Sequence, residues 1–374
     1  MSKKILFVSH YAGRTGAPIV LLNHLVGLKK NYPNFECDIL FLDGGELIPE
    51  FEKIGNTYLI TEKTPLFGIN RFLGQTKYHG FIKRLLRNNY KIIYGNTVAV
   101  ADVLVSAKKI DPNLITICHV HELEMAIKEH YGEQNFKNAV SFIDHFVAAS
   151  AIVRNYLIKN YKIDPKKSHI HYEHIPLPEI MVRQHNDNCL RVFGSGTMDW
   201  RKGIDIFIQA AYQLDKLAPA ADFEFCWIGG EKGTLDYDKV VYDIQKLGIE
   251  HRVKLIPSCP NPWDYLIEAD LFLLTSREDP FPLICLEAAA LGKPIICFKD
   301  TGGMVEFVNP ENGWLIDYLD IPQLTSMLEG ILIDSDFKQK LAAKGELSRQ
   351  KAQGYDIDKG VRLLKKFLDK SLIN

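Results

Sequence analysis

Apolar positions along the chain fall into short runs, each followed by a stretch in which apolar residues recur every three or four positions. In the first half the runs are 5–8, 37–42, 58–60, 91–94, 114–118 and 146–149, and the helix-period stretches include 17–29, 98–109 and 151–160. Runs of this kind predict buried strands, and strand alternating with helix predicts a parallel sheet wound by right-handed crossovers. The rhythm restarts after a polar stretch at 179–188: strands at 190–193, 223–228, 253–256, 271–274 and 294–298 alternate with helices at 203–217, 237–247 and 283–291. The pattern predicts two doubly wound domains, 1–187 and 188–355, and a tail of helical period ending in a helix at 356–374. Two such domains are expected to face a cleft at the carboxyl ends of their strands, so the chemistry belongs in strand-to-helix loops.

The length of 374 residues suits two cores, and 47% apolar with 24% charged residues excludes disordered, collagen-like and disulfide-scaffold classes. Residues 1–187 hold 23 Lys and Arg against 18 Asp and Glu, and the remainder 22 against 28. That mild asymmetry excludes a dedicated nucleic-acid binder and leaves room for one basic patch on the first half. The seven cysteines form no CxxC pair and no zinc knuckle. Met1-Ser-Lys-Lys-Ile-Leu-Phe-Val has too short an apolar run for a signal-peptide core, and 283–298 is broken by Glu287 and Lys293. The expectation is a protein that is cytoplasmic or peripheral on the inner face of the membrane, with reduced thiols.

The densest chemical signal is Thr275-Ser-Arg-Glu278-Asp279-Pro-Phe281-Pro282-Leu283-Ile284-Cys285-Leu-Glu287, an acidic loop between an apolar strand and a helix. Pro282 suits the first turn, and the amides of Leu283, Ile284 and Cys285 are expected to face the loop, where the helix dipole favours an anion such as a diphosphate. A carboxylate accepts hydrogen bonds from two neighbouring hydroxyls, so Asp279 and Glu287 suit sugar diols. The bland alternative makes Glu278 and Asp279 caps and Glu287 a solvated residue, but Glu287 lies in an otherwise apolar stretch. A second signal, Gly194-Ser-Gly196-Thr-Met-Asp199-Trp-Arg201-Lys202-Gly203, places two cations after a strand, where they can reach the same anion from the opposing loop. Taken alone, such a pair is more often ordinary surface charge. Gly194-x-Gly196 also opens a dinucleotide fingerprint, but Asp199 stands where the third glycine belongs.

In the first half, Gly13-Arg-Thr-Gly16 follows a strand and precedes a helix, and small residues there let a ligand approach the backbone. The strand 114–120 ends in His119-Val-His121-Glu122, which puts two histidines on one face without a third metal ligand at any telling spacing.

Together these motifs resemble the retaining glycosyltransferases of family 4, of GT-B fold. The resemblance extends to Trp227-Ile-Gly-Gly230, Asp270 and Thr301-Gly-Gly-Met-Val-Glu306. It implies catalytic roles for His121, Lys202 and Asp279, and donor contacts from Gly16, Arg201, Lys202, Asp279, Phe281, Pro282, Leu283, Ile284 and Glu287. In that scheme Glu287 holds the ribose diol, Asp279 the donor-sugar hydroxyls, Lys202 the diphosphate, and His121 lies beside the transferred sugar. Two positions depart from the family pattern: the first acid is Asp279, with Glu278 as the alternative, and the family arginine six residues before Lys202 is Gly196, leaving Arg201 nearby.

The implied function is transfer of a sugar from a nucleotide-diphosphate donor to a saccharide or lipid-linked acceptor, with retention, in cell-surface polysaccharide synthesis. No metal or other cofactor is expected, nor a nucleic-acid partner. Two other readings are an oxidoreductase using Gly194-x-Gly196 and a degenerate, non-catalytic relative. Finally, 63–91 carries seven Lys or Arg, no acid and five aromatics, a composition suited either to an anionic membrane face or to a solvated helix whose aromatics enter the core.

Overall fold

The computed structural model describes residues 4–60, 78–178 and 187–373. The chain divides into two compact units, Met1–Pro176 with Ile357–Asn374, and Leu177–Asp356. The first boundary falls at Pro176 rather than near 187, in the run Ile175-Pro-Leu-Pro178, where two prolines withhold the amides that would continue any ladder.

In the first unit, β1 (Ile5–Ser9), β2 (Cys37–Phe41), β3 (Thr57–Leu59), β4 (Ile92–Asn96), β5 (Ile115–Val120), β6 (His145–Ala148) and β7 (Ser168–Ile170) form one sheet in the order β3-β2-β1-β4-β5-β6-β7. Every pairing is parallel; in the centre Ile5 is registered with Cys37 on one side and Ile92 on the other. Residues of β1, β2 and β4 are buried throughout. Helices on both faces require this, so these strands read as mainly apolar runs rather than alternating ones, with Ser9, Asp38 and Asn96 as their buried polar members. The terminal helix Ile357–Ser371 belongs to this unit and places Val361, Leu364 and Leu368 in the core that holds Leu21, Leu25 and Leu28 of the helix Gly16–Asn31. Gly27 makes the approach possible: a Cβ there would lie 2.4 Å from a methyl carbon of Val361.

The second unit repeats the plan with β8 (Leu190–Ser195), β9 (Phe223–Ile228), β10 (Val253–Ile256), β11 (Leu271–Leu274), β12 (Ile295–Phe298) and β13 (Gly313–Ile316), ordered β10-β9-β8-β11-β12-β13 and all parallel. Its core combines Phe207, Phe225 and Trp227 with Leu324 and Leu328 of the helix Ile321–Leu332. Asp270 ties the sheet to the helix Phe337–Ala352, accepting the Arg191 amide at 2.7 Å and Lys338 Nζ at 2.6 Å.

The fold is therefore α/β, two Rossmann-like domains with a helical C-terminal tail. No helix among the described residues is long and apolar enough to cross a membrane. Residues 61–77, much of the basic stretch, lie outside the described residues. Of the rest, Lys83 and Arg84 end the helix His79–Leu85, Arg84 lies over the Phe81 ring, and Ile82, Leu85 and Tyr90 enter the core.

Candidate functional site

Each sheet has one pair of neighbours, β1–β4 and β8–β11, from which the chain proceeds in opposite directions. The carboxyl ends of such a pair are where open α/β sheets bind ligands. In both units loops there carry residues the sequence singled out, Gly16 after β1, Lys202 after β8 and Asp279 after β11.

After β8 the chain passes through two glycines that packing requires. A Cβ on Gly194 would lie 2.8 Å from both the Phe207 and Trp227 rings, while Gly196 adopts φ +155° and its carbonyl accepts the Trp227 indole N–H at 3.0 Å. Gly203, at φ +69°, lies so close to the end of β11 that a Cβ would come within 2.1 Å of the Thr275 carbonyl oxygen. This contact delivers Lys202 to the next loop: its Nζ donates to Asp279 Oδ2 at 2.6 Å. Arg201 Nη1 lies 3.9 Å from the same oxygen and donates to the Glu278 carbonyl at 3.2 Å, and Ser276 Oγ donates to Oδ2 at 3.4 Å. Asp279 thus carries a carboxylate that both cations approach. Its backbone is fixed by a hydrogen bond that the Asp279 N–H donates to the Thr301 carbonyl at 2.7 Å and by Gly302, whose missing side chain makes room for the Asp279 carbonyl. The Gly302-Gly303 turn is therefore a backing for the acidic loop.

The helix Leu283–Ala290 begins directly after Pro282. The Cys285 amide is not open to a ligand, because it donates to the Pro282 carbonyl at 3.2 Å; Leu283 and Ile284, half-buried, begin the helix. Phe281 is also differently employed: its ring stacks on Tyr355 at 5.5 Å between centroids, so the side chain serves packing. Glu287 lies farther along the helix. Burial pushes its carboxyl up to about 7, only partly offset by a hydrogen bond from the Trp263 side chain. A carboxylate kept under that strain beside an indole is poised for polar partners that a ligand brings.

In the first unit, the loop after β1 leads to Gly16 at the start of its helix, where an added Cβ would meet no described atom within 4 Å beyond its chain neighbours and its own helix. His121 follows β5, and its ring is enclosed: Nδ1 lies 2.7 Å from Glu173 Oε1 and Nε2 3.0 Å from Asn96 Oδ1. Glu122 beside it accepts the His121 and Val98 backbone amides at 2.8 and 3.2 Å, joining the ends of β4 and β5. Burial alone would lower the His121 pKa, but the charge and hydrogen bond of Glu173, with the charge of Glu122, reverse this and raise it. His119, its ring centroid 3.9 Å from that of His121, is driven the other way by burial and by surrounding histidines, and stays neutral.

Among the described residues, two side-chain sets bring three possible donor atoms within 4.8 Å of one another, His119 with His121 and Glu173, and His24 with His171 and His174. The third partner that spacing did not indicate is thus Glu173. In both sets hydrogen bonds already engage donors: His121 with Glu173, and His24 Nδ1 with the Val20 carbonyl at 2.8 Å while its Nε2 faces His171 Nε2 at 2.9 Å. Sequence reasoning missed Asn96, Glu173, Trp263 and Ser276. Trp263 and Glu173 carried no motif; Asn96, the one polar side chain ending the apolar run of β4, was the available signal.

Residues 181–348 match the family model described as Glycosyl transferases group 1. Among solved structures, HepE of Anabaena in complex with UDP and glucose superposes with a TM-score of 0.79 over 99% of this chain and 100% of that one, at 21% identity. The fold is thus of the GT-B kind, and the family match falls within the second unit. Curated relatives include an N-acetylgalactosamine-N,N'-diacetylbacillosaminyl-diphospho-undecaprenol 4-alpha-N-acetylgalactosaminyltransferase of Campylobacter jejuni, 26% identical over 57% of this chain and 56% of that protein. A D-inositol 3-phosphate glycosyltransferase of Corynebacterium diphtheriae is 26% identical over 39% of this chain and 35% of its own length. The chain thus spans about half the length, or less, of the curated relatives it matches. The group 1 match covers β8 through β13, the unit in which Lys202 meets Asp279.

Proposed function

We propose that this chain transfers a hexosyl group from a nucleotide-diphosphate donor to a saccharide or lipid-linked acceptor, with retention and without a metal, in cell-surface polysaccharide synthesis at the cytoplasmic side of a membrane. The observation that carries the reading is the convergence of Lys202, Arg201 and Asp279 at the carboxyl ends of β8 and β11. Lys202 and Arg201 supply fixed positive charge where negative charge grows on a leaving diphosphate, and such preorganised charge lowers a barrier without reorganising during the reaction. Asp279 aligns the cations in the resting protein and accepts hydroxyls of the donor sugar; Glu287 accepts the ribose diol; Gly16 and His121 serve the first unit's part of the reaction. The names of the relatives, one acting on a diphospho-undecaprenol saccharide, favour a lipid-linked acceptor, and the basic stretch 63–91 would hold the protein at an anionic surface.

Incubation with a panel of UDP-, GDP- and ADP-sugars in the presence of EDTA tests the proposal. The expected result is release of nucleoside diphosphate from one donor class, with product retaining the donor's anomeric configuration by NMR. Absence of binding to every nucleotide sugar overturns the function, an inverted product overturns retention, and activity that EDTA abolishes and a divalent ion restores overturns the metal-free mechanism.

A further inference from the structure

Asn96 ends β4 with its side chain buried, and its orientation is fixed by one contact: Nδ2 donates to the Ala17 carbonyl, just inside the helix that follows the glycine loop, at 2.8 Å. A carbonyl only accepts, so the amide nitrogen must face Ala17 and the amide oxygen must face His121 Nε2, 3.0 Å away. On the opposite edge of the same ring, Nδ1 meets the Glu173 carboxylate at 2.7 Å. The ring therefore stands between two acceptors. A neutral imidazole has one N–H and one lone pair, and beside an ionised Glu173 either tautomer turns its lone pair onto an oxygen lone pair at hydrogen-bond distance. Both side chains are enclosed, 9% and 4% exposed for His121 and Glu173, so water does not relieve such a clash.

We propose that Glu173 and Asn96 hold His121 as a doubly protonated imidazolium, which makes Glu173 a positioning residue and His121 a hydrogen-bond donor rather than a base. The other groups around the ring agree. Glu122 adds a second negative charge, bound to the His121 backbone amide. Tyr94 Oη engages His119 Nδ1 at 2.9 Å, and His119, His24, His171 and His10 are all pushed towards the neutral form, so one positive charge is concentrated on one ring. A ring already carrying both protons cannot take one from an acceptor hydroxyl. What it offers a ligand is a cation and an N–H, which suit a sugar oxygen or a phosphate oxygen displacing Asn96. That consequence rests on the transferase reading; the protonation state does not.

The two are separated by measuring the ring directly. In protein labelled with 15N-histidine, long-range 1H–15N spectra at pH 7.5 should show one ring of the imidazolium type, identified by its loss in His121→Gln, with a midpoint above that of an ordinary histidine. Glu173→Gln, which removes the charge and keeps the shape, should lower that midpoint by at least one pH unit, a tenfold loss of proton affinity, and Glu173→Asp should restore part of it. If a nucleotide sugar is turned over, the alkaline limb of kcat/KM should move down by the same amount in Glu173→Gln. A neutral His121 ring in the wild type, including one that accepts a proton from a protonated Glu173, overturns the proposal, as does an imidazolium that persists unchanged in Glu173→Gln. Where His121→Gln fails to fold, a wild-type spectrum with no imidazolium ring at pH 7.5 overturns the proposal by itself, and an imidazolium ring lost in Glu173→Gln sustains it. Absence of all transferase activity with the imidazolium present would instead refute the functional reading and leave this one standing.

Discussion

Glu287 gives a prediction in which stability and ligand binding move in opposite directions. Its carboxyl is displaced upward from an ordinary 4.5 to about 7, chiefly by burial. Between those values the folded protein holds a proton that the unfolded chain has released, so stability falls as pH rises from about 4.5 to about 7 and is level above that. At about 1.4 kcal/mol for each pH unit, the ionised group costs roughly 3 kcal/mol at pH 8. The residue is partly exposed, so solvent reduces this and the figure is an upper value. Glu287→Gln keeps the shape and can still accept the Trp263 hydrogen bond, but has no charge to bury. Ligand-free variant and wild type should therefore unfold alike at pH 5, while at pH 8 the variant should be the more stable by several degrees in Tm, given about 2–4 °C per kcal/mol for a unit of this size. Calorimetry with the free nucleoside diphosphate should show the reverse order: wild type binds more tightly as pH rises through 7, because the ionised group accepts both ribose hydroxyls, and the variant binds weakly throughout. A difference in Tm that does not change between pH 5 and pH 8 would refute the buried-carboxylate argument, and unchanged nucleotide affinity would refute the ribose role.

Lys202→Ala should lower turnover by removing a charge-assisted contact worth about 1.5–3 kcal/mol, roughly ten- to a hundredfold. Because Lys202 is also the cation on the buried Asp279, the variant should lose stability by about 1–3 kcal/mol, which Lys202→Ala combined with Asp279→Asn should largely restore while turnover stays low; recovery of turnover in the double variant would count against the leaving-group role. Gly203→Ala should be strongly destabilising, since a Cβ would collide with the Thr275 carbonyl oxygen at 2.1 Å in a left-handed backbone conformation, and a wild-type melting curve would contradict the geometry. Reversing Lys83, Arg84 and Arg87 to Glu should abolish sedimentation with anionic vesicles at low salt, at about 1 kcal/mol for each basic residue near the surface; equal pelleting of both proteins, or of neither, returns the segment to an ordinary solvated helix.

The parts of the fold legible in the sequence were those in which one strand, one loop and one helix follow directly. The strand that runs through Gly194, the turn at Lys202-Gly203 and the loop of Asp279 before its helix are local, and buried parallel strands give long apolar runs that are hard to mistake. Two short edge strands, β7 and β13, were missed for the converse reason. Ser168-His-Ile170 has one apolar residue, and Gly313–Ile316 begins with a glycine because a Cβ there would lie 2.1 Å from the Ile295 carbonyl oxygen, a demand set by a neighbouring strand. The same limit governs the site. Lys202 and Asp279 were each conspicuous by charge beside a turn, and their meeting across 77 residues follows from β8 and β11 being neighbours. Glu173 and Asn96 stand 52 and 25 residues from His121 and belong to no motif. A histidine with a carboxylate on one nitrogen is a different reagent from a histidine alone, and the difference is decided by partners that only the folded sheet supplies. Spacing could put His121 at the end of a strand; the acceptors on both of its nitrogens are what determine whether it gives a proton or takes one.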